Sequence, residues 1–144
     1  MLSAYPACFI HEENGYSVVF PDLDHLATCG GSLDEALTMA VDCLAGYLYL
    51  LRQEKKTPPP PSPPEKVDLT VVLAELADDE GFCCSEAFVN LVTVDVEEYA
   101  RRHFERPVKK TLSIPAWLNE AAVKEKINFS HVLQEALKER LNLS

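Results

Sequence analysis

Four carboxylates, Asp22, Asp24, Asp34 and Glu35, are the side chains of this sequence that could hold two metal ions and cleave a phosphodiester. Their settings argue against that use. Asp22 and Asp24 fall in the turn Pro21-Asp22-Leu23-Asp24-His25, where proline fixes φ and aspartate side chains bond nearby backbone. Asp34 and Glu35 fall in the first turn of a helix, where the helix dipole favours acids. His11, His25, His103 and His131 sit in unrelated settings, with no neighbouring Ser or Cys arranged for nucleophilic catalysis. Cys8, Cys29, Cys43, Cys83 and Cys84 form no CxxC pair and lie at no metal-ligand spacing from a histidine, so reduced, mostly buried thiols are expected. The expectation is a protein that is not an enzyme and takes no cofactor and no metal.

The polar side chains that recur with a functional spacing lie near the C-terminal end. In an extended strand over 108–114, Lys109, Thr111 and Ser113 share one face, and Lys110, Leu112 and Ile114 share the other. Leu112 and Ile114 must face the helices that follow, which turns Lys109, Thr111 and Ser113 outward as groups able to read base edges. A first helix is expected over 116–126, just after Pro115, with a narrow apolar face of Leu118, Ala121 and Ala122. A second, over 128–143, carries Phe129, Val132, Leu133, Ala136, Leu137 and Leu141 at 3.6 spacing. At its start, Asn128, Phe129 and Ser130 lie among amides that can bind a phosphate, aided by the positive end of the helix dipole.

A lone strand cannot satisfy its backbone, and so short a segment cannot bury both helices. Residues 108–144 therefore need a second copy, and two such strands paired antiparallel make a ribbon that fits the major groove of DNA. Each strand offers only three outward side chains, so one dimer binds modestly, and tetramers on paired half-sites remain open.

The net charge of −10 argues at first against a polyanionic partner. Its distribution reverses that objection. Residues 1–107 hold 19 acidic and 7 basic side chains, whereas 108–144 hold 4 acidic and 6 basic. An acidic body that attracts a basic partner is joined to a tail free to approach nucleic acid.

The elements that must position these groups follow from pattern. Strands are expected over 4–10 and 16–20, joined through His11-Glu12-Glu13-Asn14-Gly15 as a hairpin, with a third near 27–29. Ser32 and Glu35 form a capping-box signature, and Leu33, Ala36, Leu37, Ala40, Val41, Leu44, Tyr47, Leu48 and Leu51 continue it as one helix. This βββα layer can be completed by a strand over 87–94 and a short helix that starts at Asp95 and runs through Tyr99 and His103. Residues 57–64, with six prolines and Ser62, should be an extended polyproline loop inside the same domain. Residues 67–86 could extend the sheet or remain irregular. Arg106-Pro107 marks the boundary, giving domains 1–106 and 107–144 in an α+β chain. No run approaches eighteen uncharged apolar residues and the start lacks the features of a secretory signal, so a cytoplasmic protein is expected.

These residues resemble a known family. Tyr5-Pro6-Ala7, the run Gly15-Tyr16-Ser17-Val18-Val19-Phe20-Pro21-Asp22-Leu23, Thr28, Gly30 and Glu35-Ala36 resemble the N-terminal domain of HicB antitoxins. Ile127-Asn128-Phe129-Ser130 leading into Val132-Leu133-Gln134-Glu135-Ala136-Leu137 resembles the family's ribbon-helix-helix tail, and only residues 53–86 lie outside any motif. The resemblance implies a partial RNase H-like domain that binds a small basic mRNA-cleaving toxin of the HicA type, with Phe20, Asp22, Leu23, Asp24 and His25 as toxin-contacting residues. It also implies a homodimeric tail that represses the shared operon by binding operator DNA. Where the family usually has Pro-Gly after Pro-Asp-Leu, this chain has Asp24-His25, which bears on the loop's geometry and on any toxin contact there. A second reading is a stand-alone ribbon-helix-helix regulator without a toxin partner.

Overall fold

A computed structural model of the chain describes residues 1–77 and 84–143. It divides into two compact units, 1–106 and 107–144.

The first unit is built on β1 (Leu2–Glu12), which pairs antiparallel with β2 (Gly15–Phe20) on one side and β4 (Cys84–Asp95) on the other. β3 (Leu26–Gly30) pairs antiparallel with β2, so the sheet runs β3-β2-β1-β4. β1 is apolar on both faces because both are covered. Tyr5, Ala7 and Phe9 point to one core, and Cys8 and Ile10 to a second. Pro6 is tolerated in so central a strand because the ladder with β2 begins only at Cys8; at Pro6 the register gives β1 a single neighbour, Leu91 of β4. Gly15, with φ at +141°, closes the β1–β2 hairpin where a Cβ would lie 2.3 Å from the carbonyl oxygen of Gly30.

The larger core lies under α1 (Leu33–Gln53). Ser32 caps this helix by accepting from the Glu35 amide at 3.2 Å, and the Glu35 carboxylate accepts in return from Gly31 N–H at 2.8 Å, one residue before the position a capping box ordinarily uses. Ala36, Ala40, Leu44, Ala45 and Leu48 are the buried stripe, and its alanines let the helix lie close to Phe9, Val18, Phe20 and Leu23. Each large apolar side chain so buried contributes about 1.5–3 kcal/mol. α3 (Val96–His103), capped by Asp95, closes the same core with Val96 and Ala100, and its Tyr99 hydroxyl donates to Asp42 on α1 at 2.9 Å.

The other face carries the element that pattern left open. Residues 69–76 form neither a strand nor an irregular stretch but a helix, α2 (Leu69–Leu76), capped by Asp68. Its buried Val72 sits over Cys8, Ile10 and Val19, with Val67, Leu69, Leu73 and Leu76 packed around them. The acid run 78–80 and Cys83 lie outside the described residues. The sheet is therefore sandwiched between helices. β4 begins three residues earlier than the apolar run suggests, at Cys84.

Residues 57–63 have no regular secondary structure, as expected of the proline run, before a short 3-10 turn at Pro64–Lys66. They are a fastened strap rather than a passive spacer. The Tyr5 hydroxyl donates to the Pro59 carbonyl at 2.5 Å, and Ser62 donates to both oxygens of Asp22, from its amide at 2.7 Å and its hydroxyl at 2.8 Å.

In the second unit, α4 (Ala116–Lys124) and α5 (Phe129–Arg140) are the two expected helices, each shorter than its apolar pattern. Both end in a Schellman arrangement, with Lys126 and Asn142 at φ near +55° and the next amide returning to the helix, Ile127 to Ala122 and Leu143 to Lys138. The expected strand over 108–114 is not formed in the single chain, which offers it no neighbour to pair with.

Two predictions follow from these contacts. Asp22→Ala removes the acceptor of both Ser62 bonds and should lower stability in urea by about 1–3 kcal/mol, while unchanged stability would mean the strap is not held there. Of the described thiols, Cys29 is exposed, which corrects the expectation of burial there, whereas Cys8 is buried and its thiol is pushed up to about 11 by that burial. Iodoacetamide at neutral pH should therefore modify Cys29 in the native chain and Cys8 only after unfolding, as read by peptide mass.

Candidate partner and nucleic-acid interfaces

The segment after β2 is a pair of tight turns. Leu23 N–H donates to Phe20 at 3.2 Å and Leu26 N–H to Leu23 at 3.0 Å, with Asp24 and His25 at φ of 54° and 56° between them. Two successive positive φ values inside a closed four-residue turn are the type I′ geometry, which suits Asn-Gly best and which Asp and His enter at a cost.

The five residues proposed for partner contact separate here. Phe20 and Leu23 are fully buried under α1, so they build the core and present no surface; this corrects their assignment as contact residues. Phe20 follows the alternation of β2 inward and Leu23 turns into the same core from the turn, so a motif that contains them marks the fold as much as the interface. Asp22 is half-buried and engaged with Ser62. Asp24 is exposed and accepts from the Tyr47 hydroxyl of α1 at 3.2 Å. Partial desolvation and then this bond hold the Tyr47 phenol above its ordinary pKa. His25 Nε2 lies 3.1 Å from Glu75 of α2, both side chains being about half exposed. A cavity of about 230 Å³ opens beside the turn, between Pro21, His25, Lys66 and Val71.

Tyr47, Ser62 and Glu75 thus position the turn from α1, the strap and α2, and sequence pattern did not identify them. Ser62 carries a local signal, being the only hydrogen-bonding side chain inside the run 58–64. The other two are long-range contacts without one. Among the described residues no group of three or more His, Cys, Asp or Glu side chains is placed to hold a metal. Asp22 and Glu35 are committed to a strap and a helix cap.

In the second unit Lys109, Thr111 and Ser113 are exposed, and so are the apolar residues between them. Leu112 is 62% and Ile114 44% exposed, and on α5 Leu137 is 50% exposed, so the face meant to be inside has nothing over it in one chain. Asn128 caps α5 by accepting from the His131 amide at 3.1 Å, which uses one of the amides expected to be open. The Phe129 and Ser130 amides, in the first turn, have no intrahelical acceptor. The Ser130 hydroxyl accepts from Gln134 at 3.1 Å. No helix among the described residues is long and apolar enough to cross a membrane.

Comparison with known proteins bears on both units. Residues 4–78 match the family model of the HicB-like antitoxin of bacterial toxin-antitoxin systems. A curated relative, antitoxin HicB 2 of Photorhabdus laumondii, is 48% identical over 40 residues, a match spanning 28% of this chain and 29% of that protein. A chain in the structure of a toxin-antitoxin complex from Streptococcus pneumoniae is 32% identical, with 97% of this chain and 99% of that chain covered at a TM-score of 0.62. The antitoxin HicB of Burkholderia pseudomallei is 19% identical over 96% of this chain and 98% of its own, with a TM-score of 0.46 that is too low to carry an argument. On the family match over more than half of its length and the likeness to the pneumococcal chain, this protein belongs to the HicB-like antitoxins of bacterial toxin-antitoxin systems.

Proposed function

We propose that residues 1–106 neutralise a small, basic, HicA-like mRNA-cleaving toxin by direct binding. Residues 107–144 pair with a second copy as a ribbon-helix-helix that binds operator DNA and represses the operon. The single observation that carries the second half is the uncovered apolar face of residues 107–144: Leu112, Ile114, Leu118, Val132, Leu137 and Leu141 all remain exposed in one chain. A unit of this size with its apolar stripe in water needs a partner, and an extended segment ahead of two helices is completed by a copy of itself.

In the paired form Lys109, Thr111 and Ser113 face the bases, and the open amides of Phe129 and Ser130, behind the Asn128 cap, meet a phosphate. For the first half, the support is family membership together with the excess of acidic side chains in 1–106, which suits a basic toxin. Of the turn, Asp24 and His25 are the surface residues available for toxin contact, with Asp22 behind them. The βββα part supports a partial RNase H-like reading that extends no further than α1, because α2 intervenes before β4 returns antiparallel to β1. The family is one of antitoxins, a regulatory and not a catalytic class.

Co-expression with the product of the adjacent gene tests the first half: a complex that survives purification and abolishes mRNA cleavage is expected, and failure to bind leaves a stand-alone regulator. On DNA upstream of its own gene, Leu137→Asp should dissociate the tail by placing a charge in its apolar face and weaken a gel-shift by about a hundredfold. A Leu137→Asp chain that still binds as a dimer would contradict the architecture. Thr111→Ala should leave the dimer intact and reduce discrimination against a mutated operator by roughly tenfold, the scale of one base contact.

A further inference from the structure

The two edges of the sheet are built differently. β3 has five residues and runs into Gly30-Gly31, which blunts it. β4 has twelve, with no Pro, Gly or Lys among them, and residues 87–94 carry no charge. Among the described residues no strand pairs with its outer edge. Phe88, stacked on Phe9 at 5.2 Å, is still 39% exposed, and Leu91, opposite Pro6 on the other face, is 45% exposed. Natural proteins avoid a long, uncharged edge of this kind unless something pairs with it.

We infer that the outer edge of β4 pairs antiparallel with β4 of a second copy, joining two four-stranded sheets about a two-fold axis. Charge selects this occupant. Residues 1–106 are strongly acidic, so a basic partner is drawn to the acidic surface, while two like-charged copies approach best where neither carries charge. The strand is also its own complement. With Asn90 opposite its counterpart in the other copy, Phe88 meets Val92, Val89 meets Leu91, Ala87 meets Thr93 and Glu86 meets Val94, so no acid faces an acid and every apolar group from Ala87 to Val92 gains an apolar or small neighbour. An axis normal to the sheet keeps α1 of both copies on one face, and the isologous contact closes on itself instead of growing into a fibre. This pairing does not depend on residues 107–144.

Amide hydrogen exchange on the full-length chain tests it. As protein concentration rises over a roughly hundredfold range, amides in 86–94 should slow by about tenfold or more. Leu91→Lys with Thr93→Lys, both at exposed positions, should abolish that slowing while β1 stays protected. Exchange in 86–94 that is independent of concentration overturns the inference, including the case in which 109–114 does slow and the tail alone pairs. Protection of 86–94 only on addition of the toxin also overturns it, and assigns the edge to the toxin. Slowing at 86–94 without slowing at 109–114 sustains the edge pairing while the tail reading fails.

Discussion

An extended segment has no hydrogen-bond partners of its own, and everything this chain does with its strands answers that constraint. β1 answers it within the chain: it lies between β2 and β4, is apolar on both faces, and has helices over each. Residues 108–114 have no such neighbours in one chain, and there the backbone forms no strand while Leu112 and Ile114 stay in water. The apolar face of residues 107–144 is thus left uncovered in one chain.

Three elements of the first unit send polar contacts to one turn. The strap reaches it through Ser62, α1 through Tyr47 and α2 through Glu75, all meeting at Asp22, Asp24 and His25. Surface contacts such as His25–Glu75 contribute little individually. Together they hold a type I′ turn made from residues that do not favour it, and so replace the conformational freedom that glycine would have given the same loop. The substitution of Asp24-His25 for the family's usual Pro-Gly thus has a structural counterpart in the contacts around it.

Much of this was legible beforehand because it is local. The α1 cap at Ser32, the α3 cap at Asp95 and the apolar run of β4 depend on neighbours a few residues away, and the structure has each of them. α2 was not legible: Leu69, Val71, Val72, Leu73 and Leu76 fit a short buried strand as well as a helix, and the choice is made by Cys8, Ile10 and Val19, far away in sequence, which need a cover. The Asp68 cap is the one local sign of the helix. Phe20 and Leu23 show the converse error, where family resemblance drew attention to a run whose apolar members serve the core. Asn128 was placed correctly at a helix start, but its side chain turns inward to cap the helix and not outward to a phosphate.

The central claim is that residues 108–114 become a strand only by pairing with a second copy, and isotope-filtered NMR on a mixture of labelled and unlabelled full-length chains addresses it directly. The account predicts intermolecular cross-strand contacts within 109–113, with Leu112 and Ile114 moving out of water as they form. Sharp, random-coil signals for 108–114 and no intermolecular contacts there, at concentrations where the protein binds its operator, would contradict it.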